Sequence, residues 1–147
     1  MISVSSRSST LNWSRMIAEF VREGSQIPMK MLYCWRCESE VPMLDEAKFE
    51  IIRELFSVCI QSIQDHRKKE KTDLKSVPIN YYFLPVRQAY EAMTGWADMH
   101  HNAIWHHRIS LYGPPCRECG RPLRTPRARY CPACGTLAEG VRAEDFV

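Results

Sequence analysis

No apolar run in this chain approaches the ~18 residues that a membrane-spanning helix requires, so no element is expected to cross a bilayer. The chain has no glycine-rich phosphate loop, no nucleophile elbow and no pair of carboxylates in a polar frame, so the common sequence marks of catalysis are missing. The opening Met1-Ile-Ser-Val-Ser-Ser-Arg is not followed by the apolar stretch of a secretory signal. Charge of one sign is also scarce: a formal net charge of +3 is too mild to imply nucleic acid by itself. What is present is 147 residues, 45% of them hydrophobic, enough for one ordinary domain or a small core carrying an extra lobe.

Cysteine is abundant. Six of the seven fall in Cys-x-x-Cys pairs, the arrangement of metal sites in reducing compartments rather than of a disulfide framework, which points to the cytosol. Cys116/Cys119 and Cys131/Cys134 are each followed at once by glycine, Gly120 and Gly135. Two such pairs complete a tetrahedral Zn²⁺ site with Zn–S near ~2.3 Å. A glycine fits after the second cysteine because the turn there often needs φ > 0. Arg121–Arg124 and Ala128–Tyr130 are long enough for two short strands joined by Thr125-Pro126-Arg127, the pattern of a zinc ribbon. Four thiolates leave no open coordination position, so such a zinc braces a fold and does no hydrolysis.

Residues 1–9 are Ser-rich and polar. Trp13, Met16, Ile17, Phe20 and Val21 make a helical stripe over Leu11–Arg22, stopped by Gly24 and Pro28. Residues 1–28 read as an extension that the core does not need, and translation starting at Met29 is one alternative. Met31–Cys37 reads as a strand ending in a third knuckle, Cys34/Cys37. A thioredoxin-like redox pair would place its second cysteine at a helix start, and here the helix begins too late, near Asp45. Asp45 caps a long helix whose apolar face holds Phe49, Ile52, Leu55, Phe56, Cys59, Ile60 and Ile63. Arg67, Lys68, Lys69 and Lys71 complement its C-terminal dipole. A connector over Thr72–Asn80 precedes a helix from near Pro85 to Gly95, and Arg108–Tyr112 reads as a strand leading into the ribbon.

Four of the five histidines lie within His100–His107. One reading packs some rings beside Trp96 and Trp105. A second completes a Cys₂His₂ zinc set on Cys34 and Cys37, with His106 and His107 as the candidate donors. Adjacent residues on a strand face opposite ways, so one of these two with another histidine is favoured over both. A third is a metal-dependent hydrolase or nuclease of the HNH type, but such sites separate the first histidine from the asparagine by a hairpin, and His101 and Asn102 touch. Arg121, Arg124, Arg127 and Arg129 make the ribbon locally basic and are the candidate partner-binding residues, for an acidic protein surface or for phosphates and bases beside Tyr130.

The order CWRC, PMLDE, IWHHRISLYGPPC, CG-PLRTP and CPACG resembles a group of small uncharacterised bacterial proteins over roughly residues 31–135. That resemblance implies a bacterial cytosol and a start at Met29, and it carries no activity. The expectation is therefore an α+β, mainly α protein: an N-terminal extension (1–28), a knuckle with a helical core (29–112), a zinc ribbon (113–137) and a tail (138–147). It holds one structural Zn²⁺ and, with Cys34/Cys37, a second. Its role is a non-catalytic module binding another protein, with nucleic acid as the alternative partner and no membrane association.

Overall fold

The computed structural model describes residues 15, 17–19, 22, 29–70 and 78–146. Arg15, Ile17–Glu19 and Arg22 are helical, and Ile17 packs against the main core. The other residues of the expected stripe (Trp13, Met16, Phe20 and Val21) lie outside the described residues, as do Lys71 of the expected helix end and residues 72–77 of the connector.

Strands β1 (Lys30–Cys34) and β2 (Ser39–Met43) form an antiparallel hairpin in which Cys34 pairs with Ser39 and Lys30 with Met43. The tight turn between them carries Cys37 and closes with Glu38 N–H donating to Cys34 O at 2.8 Å. Strand β2 is not expected from Ser39-Glu-Val-Pro-Met, since its proline cannot donate to a ladder and demotes a run to an edge or a loop. A two-stranded sheet consists of edges, so Pro42 is tolerated opposite Met31.

Helix α1 (Glu46–Glu70) starts where Asp45 accepts from the Lys48 backbone N–H at 2.9 Å. Phe49, Ile52, Leu55, Phe56 and Cys59 are buried on one face, while Ile60 is 46% exposed and belongs to the other. A short α2 (Ile79–Tyr82) leads into α3 (Leu84–Thr94), with Pro85 in its first turn and Gly95 as a left-handed cap at φ 72°. Val86, Ala89 and Tyr90 face α1, and Ile104 from the short α4 (His101–Ile104) completes this core. No helix among the described residues is long and apolar enough to cross a membrane.

The expected strand over Arg108–Tyr112 is absent. Arg108 makes one parallel bridge with Leu44, and Ile109–Leu111 is a 3₁₀ turn. The bridge consists of Leu44 N–H donating to His107 O at 2.8 Å and Ile109 N–H donating to Leu44 O at 3.0 Å. One exchange satisfies Leu44 as the chain leaves the hairpin, and no further length of β2 remains to pair. Arg108 also binds Glu46 through both carboxylate oxygens, which ties the 106–109 turn to the start of α1.

The C-terminal lobe differs from the expected ribbon as well. Arg121–Arg124 and Ala128–Tyr130 do not pair with each other. Each folds back about its own Cys-x-x-Cys turn, through isolated bridges Pro115↔Pro122 and Tyr130↔Leu137. Pro114, Pro115, Pro122 and Pro126 remove donors that a continuous ladder would need. The lobe's core is small: Cys116, Leu123 and Cys131 are its buried members, with Ala128 and Ala138 against them. Gly113 seats the lobe's first residues, since a Cβ there would lie 2.4 Å from Thr125 O.

Candidate metal centres

The three Cys-x-x-Cys turns share one geometry. In each, the backbone N–H of the residue after the second cysteine donates to the carbonyl of the first at 2.8 Å: Glu38 to Cys34, Gly120 to Cys116 and Gly135 to Cys131. That residue sits at positive φ in all three, 54°, 73° and 75° respectively. Two turns use glycine, which meets no steric penalty there, and Glu38 adopts the same conformation against the preference of an L side chain.

Cys116, Cys119, Cys131 and Cys134 place their sulfurs within 4.8 Å of one another and can hold a metal ion. Cys116 Sγ and Cys134 Sγ are 3.6 Å apart, and Cys119 Sγ and Cys131 Sγ 3.5 Å. A tetrahedral ion at ~2.3 Å from each sulfur would separate them by ~3.8 Å, so the set fits with little adjustment. Cys116 and Cys131 are buried, whereas Cys119 and Cys134 face solvent. The side-chain and backbone groups of Thr136 beside Cys134 pull that thiol down to about 6, towards the thiolate form that binds metal.

The second group joins distant parts of the chain. Cys34, Cys37, His106 and His107 also bring one ligand atom each within 4.8 Å of the others. His106 Nδ1 lies 3.3 Å from Cys34 Sγ, and His107 Nε2 lies 3.2 Å from Cys37 Sγ. With Zn–N about 2.0 Å and Zn–S about 2.3 Å, a tetrahedral site would set these edges at about 3.5 Å. Both histidines reach the same point because they leave a turn rather than a strand and offer different ring nitrogens. Their ring planes stand at 88° with centroids 5.1 Å apart.

The surroundings orient these ligands. His107 Nδ1 is 3.3 Å from Tyr90 Oη, and that hydroxyl donates to Pro42 O at 2.7 Å. A proton on Nδ1 leaves Nε2 free to ligate, the usual way a buried partner fixes an imidazole tautomer. Burial, with His106 alongside, pushes His107 down to about 4, so its ring is neutral at pH 7, the form a metal requires. Tyr112 Oη donates to His106 O at 2.9 Å and lies 3.3 Å from Cys34 Sγ. Burial pushes the Cys37 thiol up to about 11, so an incoming cation must displace its proton.

The other two histidines go elsewhere. His101 is buried and stacked on Phe83 at 4.2 Å, and His100 stacks on His101 while its Nδ1 accepts from the Asn102 N–H. The cluster of four thus separates into an aromatic pair against the helical core and a pair at the Cys34/Cys37 turn. Cys59 is a core residue, its thiol raised to about 11 by burial.

The arginines also divide. The Arg121 guanidinium sits 4.2 Å from the Tyr33 ring centroid, and that of Arg124 5.8 Å from Trp35. Arg129 donates to Asp145 O at 2.8 Å and lies against Phe146, and Arg127 is exposed. Trp35 Nε1–H donates to Pro122 O at 2.9 Å, joining the hairpin turn to the lobe. This docking of aromatics on the lobe was not visible in the sequence, where nothing marked Tyr33 and Trp35 as the surface that Arg121 and Arg124 meet.

No family model matches the chain, and no curated protein or solved structure matches it.

Proposed function

We propose that the chain is a zinc-braced, non-catalytic binding module of the cytosol. Cys116, Cys119, Cys131 and Cys134 would hold one Zn²⁺; Cys34, Cys37, His106 and His107 would hold a second. Sulfur with imidazole in fourfold sets suits Zn²⁺ better than the oxygen-seeking Mg²⁺ or Ca²⁺. Bound there, zinc supplies coordination free energy to the fold. The observation that carries this reading is that each group brings four protein ligand atoms within 4.8 Å of one another, a complete set that would leave a tetrahedral ion no position for water or substrate. The hydrolase alternative needs such a position.

Of the two partner classes, another protein and a nucleic acid, the exposed Trp105 with Arg36 and Arg124 beside the Cys₂His₂ set favours the second. Replacement of the metal by Co²⁺ tests the non-catalytic reading. The expected spectrum is that of tetrahedral, thiolate-bound cobalt, unchanged by added azide or cyanide short of metal loss. A spectral shift with retained metal would reveal an exchangeable position and overturn the reading.

A further inference from the structure

A groove of about 520 Å³ runs between the Cys34–Cys37 turn and the C-terminal lobe. Trp35, Arg36, Trp105, Leu111, Tyr112 and Arg124 line it, and among the described residues the lining contains no carboxylate. Trp105 is 45% exposed, a large apolar surface to leave in water. Its ring is nonetheless fixed, packed edge-on against Phe49 at 5.3 Å and Phe56 at 4.9 Å. Trp35 forms a half-buried wall, held by its bond to Pro122 O and by edge contact with Tyr33 at 5.1 Å, with the Arg124 guanidinium over its ring at 5.8 Å. Arg36 and Arg124 are both exposed at the groove.

We propose that this groove binds single-stranded nucleic acid, with a base stacked on Trp105 and phosphates paired with Arg36 and Arg124. The inference rests on the binding-module reading and names its partner. A fixed, exposed indole and two guanidinium groups in one groove match a polymer in which each repeat carries one flat ring and one negative charge. Aromatic platforms beside a positive track are how unpaired strands are held without sequence preference. Fixed rings also lose little freedom on binding. A duplex hides its ring faces in its own stack and so cannot use the indole. An acidic peptide would satisfy the arginines but leave the Trp105 face without a flat partner. Nothing in this scheme reads the 2′-hydroxyl, so ribo- and deoxyribo-strands should bind alike.

The test uses the full chain loaded with zinc and labelled oligothymidylate and oligouridylate of about 15 nucleotides, the upper range of such sites. Binding is followed by anisotropy between about 50 and 200 mM salt, against a duplex of equal length and against poly-glutamate. Both single strands should bind more tightly than the duplex, and Trp105→Ala should weaken them about tenfold. Joint Arg36→Gln and Arg124→Gln changes should reduce the slope of log affinity against log salt by about 1.4, near 0.7 per phosphate for single strands. Because Trp105 packs on Phe49 and Phe56, the arginine pair, both at the surface, is the decisive variant, with zinc content and melting as controls. A zinc-loaded, cooperatively melting chain that binds neither strand would overturn the proposal while leaving the module reading intact. Equal competition by poly-glutamate, or duplex binding as tight as single-strand binding, would also overturn it. Binding through the groove by a chain that takes up no zinc would support this proposal and count against the zinc-braced reading.

Discussion

The Cys₄ and Cys₂His₂ groups use the same knuckle turn and are built for different loads. In the C-terminal lobe, the four cysteines span only residues 116–134, and the buried core they enclose is little more than one leucine. Such a lobe has too little apolar surface to offset the entropy of ordering its chain, so coordination of a metal there would supply most of its stability. The other group joins residues about 70 apart and lies against a helical core that buries Phe49, Ile52, Leu55, Val86 and Tyr90. There a metal would tighten a joint that the Leu44–Arg108 bridge and the Tyr90 hydrogen bonds already define. The difference teaches that four ligands of the same spacing sit in a lobe that would depend wholly on metal and at a joint that metal would only lock.

The largest expected effect is therefore local. Cys131→Ser should remove one zinc, and with ~10–16 kcal/mol of apparent binding free energy at stake the lobe should unfold. Amide exchange should accelerate over residues 113–138 while α1 and α3 keep their protection. If the helices melt together with the lobe, the two regions are not independent and the comparison fails. Next in size, His107→Ala should remove the other zinc and leave a cavity beside Tyr90, lowering the global melting temperature while the lobe retains its metal. Since about 1 kcal/mol shifts a domain of this size by roughly 2–8 °C, a loss of several kcal/mol should be plain in a thermal scan. An unchanged melting temperature with zinc lost would show that the joint needs no lock.

These contrasts were legible in the sequence to different depths. Helix α1 could be read through its Asp45 cap and the Phe49–Cys59 stripe, because capping and periodicity are local. The Cys₄ group was equally visible, since spacing and Gly120 and Gly135 announce both turns. The β2 strand was hidden by Pro42, whose cost disappears in a sheet that has only edges. His106 and His107 were visible as candidate donors to Cys34 and Cys37, but strand alternation favoured one of them with another histidine, whereas the structure brings both together. Their meeting depends on the Leu44–Arg108 bridge and on two different ring nitrogens, and neither is encoded by neighbours in the chain. The docking of Arg121 and Arg124 on Tyr33 and Trp35 is likewise a product of tertiary packing, and it divides arginines that look alike in sequence.

Smaller changes sharpen the comparison. Tyr90→Phe removes the hydroxyl shared by His107 and Pro42, and loss of such an orienting partner should weaken metal binding at the Cys₂His₂ group by about 10–100-fold, leaving the Cys₄ group untouched. Competition with a zinc-binding dye, resolved into two phases, would measure this; equal weakening of both phases would contradict the assignment of Tyr90. The smallest change is Glu38→Gly. It relieves a left-handed conformation that glycine adopts freely in the two equivalent turns, and should stabilise the hairpin by about 1 kcal/mol. A loss of stability on denaturant unfolding would mean that the Glu38 side chain contributes more than its backbone costs.

Zinc counting on the intact chain by native mass spectrometry bears most directly on the account, with Cys131→Ser and His107→Ala run beside it. The account predicts two zinc ions per chain, and one in each variant, with Cys34 and Cys37 protected from alkylation in Cys131→Ser but not in His107→Ala. A single zinc in the intact chain, with Cys34 and Cys37 freely alkylated, would contradict it.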